Sequence, residues 1–498
     1  MSAPEPGRFL EAIVHQNPWL ETGGQALPKV LAPETERRLV EALAQAIQRE
    51  QATPFPMLLG PRRVGKSSVM HQVVAKLLAA GVSPRRICWM RLDHPLLMGR
   101  DLGDLVKGSG FLRKATKEEP HFFFLDEVTW SGDWDQWLKT FSTEQWPVRI
   151  LASSSSTAIH KHRPVESGAG HWVEVDLPPW LFSEYLRHQD VGGDVSPVAT
   201  LAETLEQEIA DLHPILGLDN YLRRFLLMGA FPETATCPSS DQLLSDLLHA
   251  QEVLRSQTIE RSLYRDVPHA FGVQEPAQLE RLLHLLASQP SGVLSPTRLA
   301  AELGLTQPTI DKYLAYLQRA FLVFTLSNYS MFEDSTVAAS QAGSIQRRGR
   351  KLYFIDGALR NATIQRGAGL LRDDRELRKL MENAVASHLL ALARQDGGRL
   401  FHWRKGKVEV GLIYDHPTSP LAFEVGESSM HDTAGLRAFQ KRFTRFAGRC
   451  YIVSPAAVAS SAADSPDGIG RIGIAPLLQI IGAQVEQALG NRFSNEAE

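Results

Sequence analysis

Cysteine is scarce in this 498-residue chain. The three that occur, Cys88, Cys237 and Cys450, lie far apart, form no C-x-x-C pair and frame no disulfide scaffold. That usage suits a reducing compartment, and a cytoplasmic protein is expected. No stretch approaches the ~18 consecutive apolar residues of a membrane helix, so no membrane partner is expected. The start, Met1 to Leu10, carries Pro4, Glu5, Pro6 and Gly7 where a signal peptide would be basic and then apolar. The 16 histidines fall in no H-x-x-x-H or H-E-x-x-H pattern that supports a zinc site. No repeat period stands out, which excludes solenoids and propellers. Neither charge sign dominates: 53 basic against 56 acidic residues leave a net charge of −3, which excludes a uniformly basic coat and leaves room for a local patch. Hydrophobic content of 43% and charged content of 22% are those of a folded globular chain. At ~100–200 residues per domain, roughly three units are expected.

A short apolar helix (Phe9 to Val14) and coil open the chain, and residues 34–50 read as a helix with Leu39, Leu43 and Ile47 on one face. Residues 55–178 then alternate strand and helix. The strand candidates are Phe55–Leu59, Ile87–Leu92, Phe122–Leu125, Val148–Ala152 and Trp172–Leu177, and the clearest helix is Ser67–Ala80. This is the pattern of a parallel sheet covered by helices. Residues 180–265 carry helical spacing alone. Residues 277–326 read as helices ending in a short strand, Leu322–Leu326, and 333–350 as a loop. A helix over 375–394 follows, then strands near 401–405, 408–414 and 421–425, a helix over 435–446 and a strand over 450–454. The tail from 489 is polar.

Gly60-Pro61-Arg62-Arg63-Val64-Gly65-Lys66-Ser67 fits G-x-x-x-x-G-K-[ST], with Ser68 next in line. The glycines let backbone N–H groups curl around phosphate oxygens, and the helix that follows adds the positive end of its dipole. Lys66 is placed to reach the β- and γ-phosphates and Ser67 to ligate Mg2+. Phe122-Phe123-Phe124-Leu125-Asp126-Glu127 is a buried strand ending in two carboxylates. Asp126 is assigned to Mg2+ through water, and Glu127 to polarising the attacking water. ATP with Mg2+ is the expected cofactor, and hydrolysis is favoured over mere binding. The next strand ends in Ser153-Ser154-Ser155-Ser156, which is either a γ-phosphate sensor, with Ser154 as the candidate, or a serine-rich turn.

These motifs resemble prokaryotic AAA+ ATPases fused to a C-terminal helix-turn-helix and nuclease-like module. Asn17-Pro18-Trp19, Leu125-Asp126-Glu127 with Trp134, Leu177-Pro178-Pro179-Trp180, Phe182-Ser183-Glu184-Tyr185 and Gly229-Ala230-Phe231-Pro232-Glu233 add to the likeness. The implied fold is multi-domain α/β: a P-loop NTPase parallel sheet with an α-helical lid, a winged helix and an α/β restriction-endonuclease-like C-terminal domain. The expected boundaries are an N-terminal extension 1–50, the ATPase core 51–178, the lid 179–270, the winged helix 271–350, the nuclease-like domain 351–488 and a tail 489–498. Where the family has an arginine before the fifth strand, this chain has Ser167-Gly168-Ala169-Gly170-His171, with Arg163 the nearest arginine. A homo-oligomer is expected, with a trans-acting arginine finger in doubt.

Leu299 to Ile310 reads as helix, glycine turn and helix, with Thr306 as N-cap and Pro308 in the first turn. Ile310, Leu314 and Leu317 make the buried stripe. Gln307, Thr309, Lys312 and Tyr316 are left on the outer face, which enters the major groove in a DNA reader and faces protein in an interdomain spacer. The run Arg347-Arg348-Gly349-Arg350-Lys351 is either a phosphate contact or a solvated loop. The remaining residues are similar to a PD-(D/E)xK nuclease-like module. The likeness implies a helix glutamate at Glu382 and a strand glutamate at Glu424. It has Gly411 where the metal aspartate belongs and Gly426 where the lysine belongs, while Glu409 shares a strand face with Gly411. Glu427 points away. The module is therefore expected to dock DNA or serve structure without cutting.

The sequence thus predicts an ATPase that binds and remodels or scans DNA. The alternative is an ATP-driven signalling or defence switch whose C-terminal domains bind protein, and a third reading is a nuclease with a displaced ligand.

Overall fold

The computed structural model describes residues 6–24, 27, 35–49, 54–155, 170–191, 193, 195–210, 217–235, 243–288, 293–329, 349–365, 367, 369, 373–426, 433–455 and 458–493. They form two compact units. The first holds residues up to Leu177 with two short later segments, and the second runs from Pro178 to Ala488 apart from His269–Gly272.

The first unit is built on five parallel strands: β1 (Phe55–Leu59), β2 (Ile87–Arg91), β3 (His121–Asp126), β4 (Val148–Ser154) and β5 (Trp172–Asp176). Their order is β2-β3-β4-β1-β5. The predicted strands lie within two residues of these bounds, and the predicted helix is Lys66–Ala79. Continuous apolar runs produce this agreement: β1 and β3 are buried along their whole length, as strands covered on both faces must be. Because β4 separates β1 from β3, the loop leaving β1 and the carboxylates ending β3 flank the end of β4. Ligands bind at that carboxyl edge in open parallel sheets.

The outer edge of β2 is closed by side chains. Asn17 Nδ2 donates to Trp89 O at 2.9 Å, and its Oδ1 accepts from Trp89 N at 2.6 Å. Trp19 Nε1 donates to Ile87 O at 3.1 Å, and Gln16 Oε1 accepts from Arg91 N at 2.6 Å. Residues 87, 89 and 91 turn their peptide groups to the same side, so Gln16, Asn17 and Trp19 satisfy an edge that would otherwise invite another strand. This gives the Asn17-Pro18-Trp19 motif a physical role.

In the second unit helices occupy most of 182–288, as predicted, and lead to two further helices, Pro296–Leu303 and Gln307–Arg319. Thr306 caps the latter, accepting from Thr309 N, and Gly304 makes the turn at φ 66°. Ile310, Leu314 and Leu317 are fully buried. Tyr316, expected outside, is buried as well, a correction to its place on the reading face.

A seven-stranded sheet follows, ordered β12-β11-β10-β9-β8-β6-β7. Its strands are β6 (Val323–Asn328), β7 (Lys351–Phe354), β8 (Arg399–Lys405), β9 (Val408–Asp415), β10 (Leu421–Val425), β11 (Cys450–Ser454) and β12 (Ile469–Gly473). β6 pairs with β7 and with β8, so the sheet crosses the boundary expected at 350. On one face Tyr329 stands edge-on to Phe401, Phe439, Phe443 and Phe446 in an aromatic core that also takes in Trp403 and Cys450. The helix Asp374–Asp396 and the helix Ala434–Arg442 complete the predicted α-β-β-β-α-β order.

The helix Ile474–Asn491 has no counterpart in the sequence reading and runs past the tail expected from 489. Its Glu486 accepts from Ser183 Oγ at 2.6 Å and pairs with Arg187. Gln484 Oε1 accepts from Thr204 Oγ1 at 2.8 Å. Among the described residues no helix is long and apolar enough to cross a membrane.

Candidate functional site

β1 delivers the chain into a tight loop. A Cβ at Gly60 would lie 2.4 Å from the carbonyl oxygen of Leu177, so only glycine fits there. Gly65, at φ 97°, turns the loop into the helix that starts at Lys66. The Lys66 ammonium arches back over the loop and donates to the carbonyls of Gly60 and Pro61, both at 3.0 Å. Val64 is buried, Arg62 and Ser68 are half-buried, and Arg63 is exposed at φ 64°.

The second element is the end of β3. Ser67 Oγ donates to Asp126 Oδ2 at 2.8 Å, which joins the start of the helix to the strand terminus. Ser153 Oγ donates to Asp126 Oδ1 at 2.6 Å and accepts from Glu127 N at 3.0 Å. Burial pushes the Asp126 carboxyl up to about 6, with the Glu127 charge adding to it and Ser153, Ser67 and Lys66 pulling the other way. Glu127 itself sits in the left-handed region at φ 56°, ψ 51°, a conformation that costs a non-glycine residue of order 1 kcal/mol or more. Its Oε2 accepts from the N–H of Ser155 at 3.0 Å and from its hydroxyl at 2.9 Å, while Oε1 lies 4.0 Å from Lys66 Nζ.

Strand alternation sorts the serine run. Ser153 and Ser155 face the two carboxylates. Ser154, the residue singled out in the sequence, is fully buried and has its hydroxyl 3.2 Å from Thr129 Oγ1. Ser153 and Ser155 stand two residues apart and share a face that Ser154 does not, and that spacing is the signal that separates them. Ser156 and Arg163 lie outside the described residues.

The candidate DNA contacts are placed differently from expectation. Gln307 and Lys312 are exposed, and the Thr309 hydroxyl is 2.8 Å from that of Thr306. Arg347 and Arg348 lie outside the described residues. Arg350 and Lys351 are not surface cations. Arg350 donates to Asp311 Oδ1 at 2.8 Å, with both side chains mostly covered. Lys351 is 4% exposed and donates to Glu382 Oε1 at 2.7 Å and to Glu409 Oε1 at 3.1 Å. The basic run is corrected at these two positions: long-range carboxylates take cations that looked solvated.

The residues of the nuclease-like module do converge. Glu382 Oε1 also accepts from the Tyr353 hydroxyl at 2.7 Å, and Glu424 Oε2 accepts from Gly411 N at 2.8 Å. Gly426 stands apart, donating its N–H to Val453 O at 2.9 Å at the end of β10. Glu427 lies outside the described residues. Among the described residues no group of three or more His, Cys, Asp or Glu side chains is arranged to hold a metal ion.

Known proteins share parts of this chain. Residues 53–186 match a family model described as an AAA domain, and residues 219–369 match a domain of unknown function, DUF8612. An uncharacterized protein of Methanocaldococcus jannaschii is 22% identical over 368 residues, covering 72% of this chain and 71% of that one. An uncharacterized protein of Haemophilus influenzae is 20% identical over 335 residues, covering 65% and 72%. Among solved structures, the Walker-type ATPase of Pyrococcus abyssi is 14% identical, with a TM-score of 0.37 over 67% of this chain and 98% of that one. The AAA match holds the whole Gly60–Ser68 loop, Asp126, Glu127 and the serines of β4. The first unit therefore carries a P-loop ATPase domain of the AAA type.

Proposed function

We propose that the chain hydrolyses ATP with Mg2+ and that the nucleotide cycle acts on DNA through the second unit. The observation that carries the ATPase reading is the meeting of Ser67 and Asp126 at 2.8 Å, with Glu127 next in sequence. The two residues fit Mg2+. A hydroxyl and a buried carboxylate share one spot, and a cation there would restore the charge that burial disfavours on Asp126. Bound Mg2+ supplies neutralisation of the charge that develops on the phosphates. The loop N–H groups hold phosphate oxygens, and Lys66 leaves the loop carbonyls for the β- and γ-phosphates. Glu127, oriented by Ser155, takes the proton of the attacking water. Gly60 to Ser68 form the cofactor cradle, and assembly into a homo-oligomer accompanies turnover.

On the DNA side, Gln307, Thr309 and Lys312 offer a short reading edge, with Arg347 and Arg348 as further contacts, and the nuclease-like module docks without cutting. A specific observation favours a second reading. With Arg350 and Lys351 held internally and Tyr316 buried, the second unit keeps few of the expected phosphate contacts. That suits a switch whose second unit binds protein. ATP turnover measured with single-stranded, duplex and branched DNA, with oligomeric state followed in parallel, separates the two. Stimulation by DNA supports the first reading. Assembly on ATP without a DNA response supports the second, and absence of turnover under all conditions contradicts both.

A further inference from the structure

The likeness to PD-(D/E)xK nucleases implies a divalent metal among Glu382, Glu424 and an aspartate at position 411, and the residues present do not fit one. The centre of the cluster is already taken. Lys351, the first residue of β7, sends its ammonium between Glu382 Oε1 and Glu409 Oε1, at 2.7 and 3.1 Å. Tyr353, two residues on and on the same strand face, adds its hydroxyl to the same Glu382 oxygen. The lysine side chain is 4% exposed, and the two carboxylate oxygens supply the opposite charge that a buried ammonium needs.

Space does not explain Gly411. A Cβ there would lie 3.4 Å from Glu382 Oε1, 3.7 Å from Glu424 Oε2 and 3.9 Å from Lys351 Nζ, all ordinary contacts. Charge does explain it. An aspartate with a divalent ion contributes a net charge of +1 to the cluster, and a glycine with an ammonium contributes the same. The glycine and the lysine are therefore a matched exchange, whereas an aspartate beside Lys351 would add a negative charge with nothing to offset it.

We infer that Lys351 is a built-in cation that stands where the cluster's divalent metal would otherwise be, converting a metal centre into a structural ion cluster. The cluster binds β7 to the helix Asp374–Asp396 and to β9. The neighbouring Arg350 binds the helix Gln307–Arg319 through Asp311, so two adjacent cations fix the helix-turn-helix to the sheet. The nuclease likeness supplies only the identity of the displaced ion, and the nucleotide site plays no part.

Manganese binding, read by electron paramagnetic resonance on the full chain carrying Lys66→Ala and free of nucleotide, tests this. That chain is expected to bind no Mn2+ at the cluster: neither its Mn2+ binding nor any shift of its melting temperature in ~1 mM Mn2+, both owed to Ser67 and Asp126, should change on Glu382→Gln. Adding Lys351→Ala with Gly411→Asp is expected to create a Mn2+ site, to make the melting temperature rise with Mn2+ by several degrees, and to lose both on Glu382→Gln. Saturable Mn2+ binding by the Lys66→Ala chain that disappears on Glu382→Gln would overturn the inference, and it decides the matter even if the triple variant does not fold. Lys351→Ala alone melting at the parent temperature would overturn it too.

Discussion

Ser155 grips Glu127 twice, with its backbone N–H at 3.0 Å and its hydroxyl at 2.9 Å on the same carboxylate oxygen. The other oxygen of Glu127 is left toward Lys66 and the phosphate loop. An oriented carboxylate is worth more to proton transfer than a free one. Ser155→Ala removes one of the two bonds and touches no assigned phosphate contact. Its kcat is expected to fall about tenfold with nucleotide affinity unchanged. A loss that appears in affinity with kcat preserved contradicts this role.

Asn17→Ala opens the edge of β2. Two hydrogen bonds to Trp89 disappear and leave its N–H and carbonyl buried without that partner. At 1–3 kcal/mol per stranded group, the first unit should lose about 3 kcal/mol. Urea unfolding followed by the fluorescence of the first unit's tryptophans reads the loss, and an unchanged midpoint rejects the edge-closing role.

His388 predicts the acid sensitivity of the second unit. Its Nε2 accepts from Phe182 N at 2.9 Å, and its Nδ1 lies 2.8 Å from Ala384 O, so the ring is neutral. Burial pushes it down to about 4. Unfolded, it titrates near 6.5. A depressed histidine means that the unfolded chain takes up the proton first. Stability is therefore intact above about 6.5 and falls as pH drops toward 4. Going from pH 7 to pH 5 should cost about 2 kcal/mol through this ring. In His388→Gln, that part of the pH dependence should be missing. An equal drop in both proteins sinks the assignment.

Arg350→Ala should leave the salt dependence of any duplex binding alone. The slope of log K against log salt counts the counterions that protein cations displace from the phosphates, and Arg350 is bound to Asp311 instead. Its loss should appear in thermal stability of the second unit, at about 1–3 kcal/mol for one broken, largely covered pair. A slope flattened by about one unit would return Arg350 to the DNA surface.

Much of the first unit was legible because its signals are local. Apolar runs of four or five residues gave β1 to β3, apolar residues interrupted by a single charge, Arg149 in one and Glu174 in the other, gave β4 and β5, and the Gly60–Ser67 spacing marked the P-loop that the AAA match contains. Asp126 and Glu127 stand at the end of such a run, where Asp126 meets Ser67 and Glu127 meets Ser155. What escaped was set by distance along the chain. Arg350 and Lys351 read as a solvated basic run because Asp311, Glu382 and Glu409, 31 to 58 residues away, take them up. Tyr316 belongs to the same class, since only packing decides which way its ring lies. The helix Ile474–Asn491 was hidden by Pro476, which sits in its first turn, where no N–H is needed.

On the proposed mechanism, Glu127 activates water at a site where Lys66, Ser67 and Asp126 hold the nucleotide. The direct measurement is ATP binding and single-turnover hydrolysis in Glu127→Gln beside Lys66→Ala. Glu127→Gln should bind ATP with Mg2+ as the parent does and hydrolyse it slower by a factor of about 100 or more, while Lys66→Ala should fail to bind. Hydrolysis by Glu127→Gln at the parent rate would remove Glu127 from the water-activating role.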